Sequence, residues 1–191
     1  MLRDYDSCAY YKEDAGKLLV GAFEPKAKPW GMDGIPENFC FDELPEDFEH
    51  FEPSLQRAIE RLPALNDVGI QTFFCGPESF TPDVRYHLGE APELRNCYVA
   101  AGFNSIGLQS AGGAGMVMAE WIRDRRPPVD LWEVDVRRNL PFQSNRRYLQ
   151  ERVSESLGLL YAMHWPFHQK ETARGVRCSP VHDRLVEQGA C

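Results

Sequence analysis

No stretch of this chain approaches the roughly 18 consecutive apolar residues of a membrane span, and no charged-then-apolar leader opens it. A soluble protein that is not secreted is therefore expected. Cys-x-x-Cys pairs are missing too. The six cysteines, at positions 8, 40, 75, 97, 178 and 191, are spaced widely and unevenly. Zinc sites and disulfide frameworks show tighter patterning, so reduced, mostly buried thiols in a reducing compartment are the expectation. Basic charge is short: 21 Lys and Arg stand against 29 Asp and Glu, a net charge of −8. That argues against a nucleic-acid partner, which calls for a basic face. The one basic cluster, Arg123, Arg125 and Arg126, closes a helix, where cations suit the C-terminal end of the dipole. His164 and His168 stand four apart, as a helical metal pair would, but Pro166 between them disfavours a regular helix, and no metal is expected. Internal repeats and low-complexity tracts are absent.

What is present is enough for a core. The 191 residues are 43% hydrophobic and 12% aromatic, which allows one domain, or one domain plus part of another. The opening "CAYYKED" and "GKLLVGAFEP" flank the turn-like "EDAG" and predict a β-hairpin. The Pro- and Gly-rich "PKAKPWGMDGIPENF" must be loop. In "LPEDFEHFEPSLQRAIERLPAL", Leu55, Ala58, Ile59 and Leu62 recur at helical spacing and Pro63 closes the pattern, predicting an amphipathic helix laid on a sheet. "VGIQTFFCG" reads as a strand. "GPESFTPDVRYHLGEAPELRN" reads as a surface crossing, and "CYVAAGF" as a strand buried on both faces. The helix "GMVMAEWIRDR" ends at Pro127 and Pro128, the one credible boundary. Beyond it, "VDLWEVDVRR" reads as a strand, "NRRYLQERVSESLGLLYAMH" as a helix, and the rest as an irregular tail. The class is α+β, with residues 1–126 and 127–191 as its two parts.

The segment "VAAGFNSIGLQSAGGAG" carries Gly102, Gly107, Gly112, Gly113 and Gly115 between a strand and a helix. Free backbone N–H groups and a helix dipole at such a turn favour negative charge. Phosphate oxygens would suit it, and so would the N1–C2=O edge of a reduced flavin ring. A close-packed strand–helix connection with no ligand accounts for the glycines equally well. The dinucleotide fingerprint G-x-G-x-x-G occurs nowhere.

Several segments, in order, resemble one family. "GPESFTPDVRYHLGEAPELRNCYVAAGFNSIGLQSAGGAG" is similar to the C-terminal flavin-contacting part of FAD-dependent amine oxidoreductases of the D-amino acid oxidase type, nearest their sarcosine and dimethylglycine dehydrogenases. "LRDYDSCAYYKEDAGKLLVGAFEPKAKPW" resembles the substrate-domain strands of the same enzymes. "RPPVDLWEVDVRRN" and "YAMHWPFHQKETARGVRCSPVHDRLVEQGA" resemble their central domain. The resemblance implies a partial oxidoreductase fold: an antiparallel substrate-domain sheet with helices, followed by a central-domain segment. It also implies that the unit holding the ADP part of FAD, and a tetrahydrofolate domain, belong to a longer parent chain.

By that resemblance Gly102, Phe103, Asn104, Ser105, Ile106, Gly107, Leu108 and Gln109 line the flavin. The sarcosine oxidase branch has a basic residue that aligns near Gln109. Tyr10, Tyr11 and Lys12 lie where the family binds its substrate, although alternation along a strand lets only some of them face the site. Cys75 sits one position from a covalent flavin cysteine of a related branch and is read as a buried thiol. Asp83 is read as a turn residue or cap, and Arg174 and Arg177 as a solvated basic strip. The implied activity is oxidative demethylation of a small N-methyl amino acid by hydride transfer to FAD, with no catalytic residue assigned. The electron acceptor is open, and the setting is bacterial cytoplasm or the mitochondrial matrix. Two alternatives stand beside it: a non-catalytic homologue like the regulatory subunit of pyruvate dehydrogenase phosphatase, and an inactive fragment that binds no FAD.

Overall fold

The computed structural model describes residues 1–163 and 169–190. The chain opens with a three-stranded antiparallel sheet, β1 (Leu2–Asp4), β2 (Ala9–Asp14) and β3 (Lys17–Ala22), in the order β1-β2-β3. The expected hairpin is β2–β3, turning at Ala15 and Gly16. Ala9 and Tyr11, alternate residues of β2, point to one face and are 1% and 3% exposed. The cover over them is α1 (Phe48–Arg61), whose Ala58 is fully buried. Asp47 starts α1 by accepting the His50 N–H at 3.1 Å, and the Leu62 N–H returns to the Ala58 carbonyl before Pro63 opens a 3-10 turn, Pro63–Asp67. Val20, Leu62 and Leu65 seal the rim.

A second core forms around a two-stranded antiparallel sheet, β4 (His87–Glu90) and β5 (Tyr98–Ala101). Across it lies α2 (Gly107–Asp124), which buries Ala114, Met118 and Trp121 against Leu88. Those positions fall on one helical stripe. Tyr86, Tyr98, Phe103, Leu131 and Val134 complete the packing. Short 3-10 turns at Val136–Arg138 and Pro141–Ser144 lead to α3 (Arg146–Tyr161), capped by Asn145. The tail docks on α3: Glu155 accepts the backbone N–H groups of Glu171 and Thr172, and Glu151 that of Ala173. Last comes α4 (His182–Glu187).

Several expectations need correction. Residues 68–76 form no strand. A strand must exchange backbone hydrogen bonds, and here the Cys75 carbonyl alone takes one, from Leu44, while Val68, Ile70 and Phe74 lie exposed. Phe73 turns instead onto Phe48 and Phe51 of α1. Residues 129–138 also fail as a strand. They touch the sheet through one parallel bridge, Asp135 with Leu88, and the Asp135 carboxylate then captures the Arg137 N–H and starts a 3-10 turn. β5 is not buried on both faces, because it is an edge strand whose Ala100 and Ala101 are exposed. The expected surface crossing contains β4, and the tail contains α4. The thiols are not mostly buried: Cys40, Cys97 and Cys178 are exposed, Cys8 and Cys75 half-buried, and no disulfide joins the described cysteines. His164, His168 and Cys191 lie outside the described residues. Among the described residues, no cluster of His, Cys, Asp and Glu is placed to hold a metal, and no helix is long and apolar enough to cross a membrane.

Candidate functional site

The glycine-rich segment is a short loop followed by a helix, not one long turn. Gly112, Gly113 and Gly115 belong to α2, and the loop proper is residues 102–106. It leaves β5 at Gly102, whose φ of +68° lies in the left-handed region and whose missing Cβ would stand 2.6 Å from Thr81 Cγ2. Asn104 and Ser105 follow with φ of +48° and +64°. Asn104, 1% exposed, is the brace. Its Oδ1 accepts the Thr81 N–H at 2.7 Å and the Thr81 hydroxyl at 3.1 Å, while its Nδ2 donates to the Gly102 carbonyl at 2.5 Å. The Asn104 N–H donates to Ser79 and the Ile106 N–H to Phe103, so neither amide is free for a ligand. The Phe103 ring stacks on Tyr86, with 4.9 Å between centroids, and belongs to the second core.

Past the brace the amides change character. Ser110 is the first residue of α2 whose N–H returns along the helix, to the Ile106 carbonyl at 2.9 Å. The N–H groups of Gly107, Leu108 and Gln109 therefore have no intrahelical acceptor. Among the described residues no side chain caps them, no acidic residue occupies the first turn, and the Leu108 side chain is fully exposed. Three free amides at the positive end of an 18-residue helix favour a partly negative ligand edge. The donor set thus fits the electron-rich edge of a flavin ring, with neutral Gln109 adding no charge of its own.

The substrate residues expected on β2 are divided by the pleat. Tyr11 faces α1; burial first, and then the Asp4 carboxylate, push its phenol pKa up. That places it under the helix and away from the loop. Tyr10 and Lys12 take the opposite face, where Lys12 pairs with Asp14 at 3.3 Å. Tyr10 sits in a cross-strand row with Arg3 on β1 and Gly21 on β3, its ring lying across the space a Gly21 side chain would fill. It packs on Phe23 at 5.3 Å, and Phe23 stacks on Tyr161 from the end of α3 at 3.4 Å. The Tyr161 phenol is pushed up by burial and drawn partly back by the Ser105 hydroxyl beside it. That hydroxyl falls short of hydrogen-bond geometry, so the buried Ser105 Oγ is left without a partner. Tyr10, Phe23 and Tyr161 thus link the β1–β3 sheet to the end of α3, with Ser105 of the loop beside the Tyr161 phenol. Sequence reasoning missed Arg3, Phe23 and Tyr161. The register of β1 against β2 could have revealed Arg3; nothing local marks Tyr161.

Behind the loop lies a polar support. Asp83 is the turn cap expected, accepting the Arg85 N–H at 3.1 Å, and it also holds Arg138, 14% exposed, through two contacts of 2.8 and 3.0 Å. Burial would raise the Asp83 carboxyl, but the Arg138 hydrogen bonds, the Arg85 amide and the Arg138 charge hold it below its ordinary value. Burial, and then Arg138, push the neighbouring His87 down, which keeps it neutral near pH 7. Cys75 stands apart from this group. Burial, Asp47 and Glu24 push its thiol up, which leaves it a poor nucleophile. Arg174 reaches Gln169, and Arg177 lies over Phe142. Two open grooves of about 420 Å³ each flank the β1–α1 junction and include no residue of the loop.

Known proteins are similar to this chain along nearly its whole length. Residues 1–121 match the FAD dependent oxidoreductase family, and residues 126–179 the FAD dependent oxidoreductase central domain. Over 189 residues the chain is 49% identical to 4-methylaminobutanoate oxidase (formaldehyde-forming) of Paenarthrobacter nicotinovorans, covering 99% of this chain and 23% of that protein. It is 39% identical over 187 residues to the mitochondrial pyruvate dehydrogenase phosphatase regulatory subunit of Mus musculus (98% and 21% covered). It is 36% identical over 189 residues to mitochondrial sarcosine dehydrogenase of Homo sapiens (98% and 20% covered). The chain spans about a fifth of the length of these relatives. The matched model covers residues 1–121 of 191, and on that ground the chain belongs to the FAD dependent oxidoreductase family.

Proposed function

We propose that this chain is the substrate-side part of a flavoprotein that oxidatively demethylates a small N-methyl amino acid, with residues 1–126 and 127–191 as pieces of its oxidoreductase and central domains. The observation that carries the reading is the pairing of free amides at the start of α2 with an aromatic wall, Tyr10, Phe23 and Tyr161, in contact with the same loop. FAD, when bound, supplies the electron sink that takes a hydride from the N-methyl carbon. The Gly107, Leu108 and Gln109 amides would hold the electron-rich edge of its ring, and the Asn104–Thr81 brace fixes where they point. The aromatic wall would shield the reacting carbon from water. The experiment is to purify the full-length protein and record its visible spectrum, then add sarcosine anaerobically. A bound flavin that bleaches supports the reading, and a protein that stays colourless with added FAD refutes it. The colourless result would favour the second reading, a non-catalytic regulator, which the 39% identity to the phosphatase regulatory subunit supports.

A further inference from the structure

The turn that braces the loop is itself held from a distant part of the chain. Thr81, Pro82, Asp83 and Val84 make that turn, which the Val84 N–H closes on the Thr81 carbonyl at 3.2 Å. Among the described residues the Pro82 carbonyl at its corner takes no backbone N–H. Lys170, 88 positions away, supplies a donor instead, its Nζ standing 2.5 Å from that oxygen. Beside it Arg138 holds the Asp83 carboxylate and donates to the Arg85 carbonyl at 2.6 Å. Both cations belong to the part of the chain that matches the central domain, whereas the turn belongs to the part that matches the oxidoreductase family.

The backbone that carries Lys170 is fixed on α3. Glu155 accepts the N–H groups of Glu171 at 3.0 Å and Thr172 at 2.8 Å, and Glu151 accepts that of Ala173 at 3.1 Å. Lys170 is therefore a strut between α3 and the Pro82 corner. Stability alone does not account for an ammonium there. The side chain is half-buried, and among the described residues it forms no ion pair. Burial, and then the charge of Arg152, push its pKa down, while Asp83 and Glu155 draw it partly back. A desolvated cation with no paired carboxylate is disfavoured relative to an apolar side chain of similar length. What the ammonium adds is a fixed place for the corner. Thr81, one residue before Pro82, donates its N–H to Asn104 Oδ1 at 2.7 Å, and the Ser79 carbonyl takes the Asn104 N–H at 3.1 Å. A shift of the corner is thus passed to Asn104 and, three residues further on, to the first turn of α2.

We propose that Lys170 is a positioning residue for the flavin: it fixes the Pro82 corner and, through Thr81 and Asn104, sets the direction of the Gly107, Leu108 and Gln109 amides. This rests on the flavoprotein reading above. The test uses full-length protein with Lys170→Met, Lys170→Gln and Lys170→Arg. Methionine offers no donor, and glutamine is one bond too short to reach the Pro82 carbonyl. In both variants amide exchange in the peptide carrying Thr81 quickens about tenfold, while the peptide carrying Trp121 stays within about twofold of wild type. The reduced flavin, with more negative charge on its edge, depends on the α2 amides more than the oxidised form does. Its relative binding therefore falls about tenfold, which moves the two-electron midpoint about 30 mV more negative. Lys170→Arg keeps both the donors and the reach, and holds each readout within about threefold of wild type. Where the methionine variant does not fold, the glutamine variant decides on the same two readouts. Thr81 protection that stays at the wild-type level, or that falls equally with Trp121, overturns the strut and leaves the flavoenzyme reading intact. A midpoint that does not move while Thr81 loosens overturns it as well. Wild-type protein that stays colourless with added FAD overturns both.

Discussion

Removing the Asn104 side chain should release the start of α2. Asn104→Ala deletes the acceptor of the Thr81 amide, and Thr81 is 4% exposed, so water cannot replace it without opening the loop. A buried amide left unpaired costs about 1–3 kcal/mol. Alanine must also hold the φ of +48° that asparagine tolerates better, which adds roughly 1 kcal/mol. The sum is about 3 kcal/mol, and at 1.4 kcal/mol per decade it means local opening becomes roughly 100-fold more frequent. Amide hydrogen exchange, followed by mass spectrometry on the peptide carrying Thr81, reads that quantity directly. Asn104→Gly separates the two contributions. It removes the backbone penalty and keeps the orphaned amide, so its protection should fall about fivefold less than that of the alanine variant. Protection at Thr81 within threefold of wild type in Asn104→Ala would show that the brace is not what holds the loop. Flavin retention by the full-length variants should rank in the same order as Thr81 protection.

Three further outcomes follow from the same geometry. Gly102→Ala places a Cβ 2.6 Å from Thr81 Cγ2 at a φ of +68°, and should cost about 2–3 kcal/mol in urea unfolding. Adding Thr81→Ser removes the clashing methyl and should recover part of that loss, whereas additive losses would refute the contact. Asp83 titrates below its ordinary 3.8, so its stabilisation is whole above about pH 4 and is lost as the pH falls further. Asp83→Asn should therefore flatten the acid limb of the stability curve between about pH 4 and 2, and acid limbs that stay parallel would refute the pairing with Arg138. Trp121→Ala empties the centre of the second core, where Trp121 is 3% exposed, and should cost about 3–5 kcal/mol by denaturant midpoint.

What the sequence made legible follows how local the cause is. The β2–β3 hairpin and α1 were readable because alternation in "AYYKED" and the spacing of Leu55, Ala58, Ile59 and Leu62 decide them within a dozen residues. The β-rich run at 68–76 misled because its aromatic residues are explained by packing on α1, a contact between segments that no period encodes. Residues 129–138 misled for a different reason. The Asp135 carboxylate competes for the Arg137 amide and turns the chain after one bridge. The divided roles of Tyr10 and Tyr11 were foreseeable from the pleat, but which of them faces the loop required knowing the side on which α1 lies. Arg3 lies directly over the Tyr161 ring, 158 positions away, with Phe23 against both, and spacing cannot announce such a pair.

The glycines that drew attention to residues 99–115 act differently from what their clustering suggested. Gly112, Gly113 and Gly115 lie inside α2, where a Cβ on any of them would meet nothing within 4 Å. Nothing in this chain's own packing requires them, and each costs a helix about 1 kcal/mol relative to alanine. With three such residues near its beginning and no side-chain cap, α2 does not owe its first turn to propensity. Its C-terminal part is held by the buried stripe Ala114, Met118 and Trp121, and its start by the loop that feeds it. The direction of the Gly107, Leu108 and Gln109 amides is thus set by the hydrogen bonds between Asn104 and Thr81, residues 23 positions apart. A change at Thr81, which offers no group of its own to a ligand, should therefore act on the anion-favouring end of α2 as strongly as a change within the first turn of the helix.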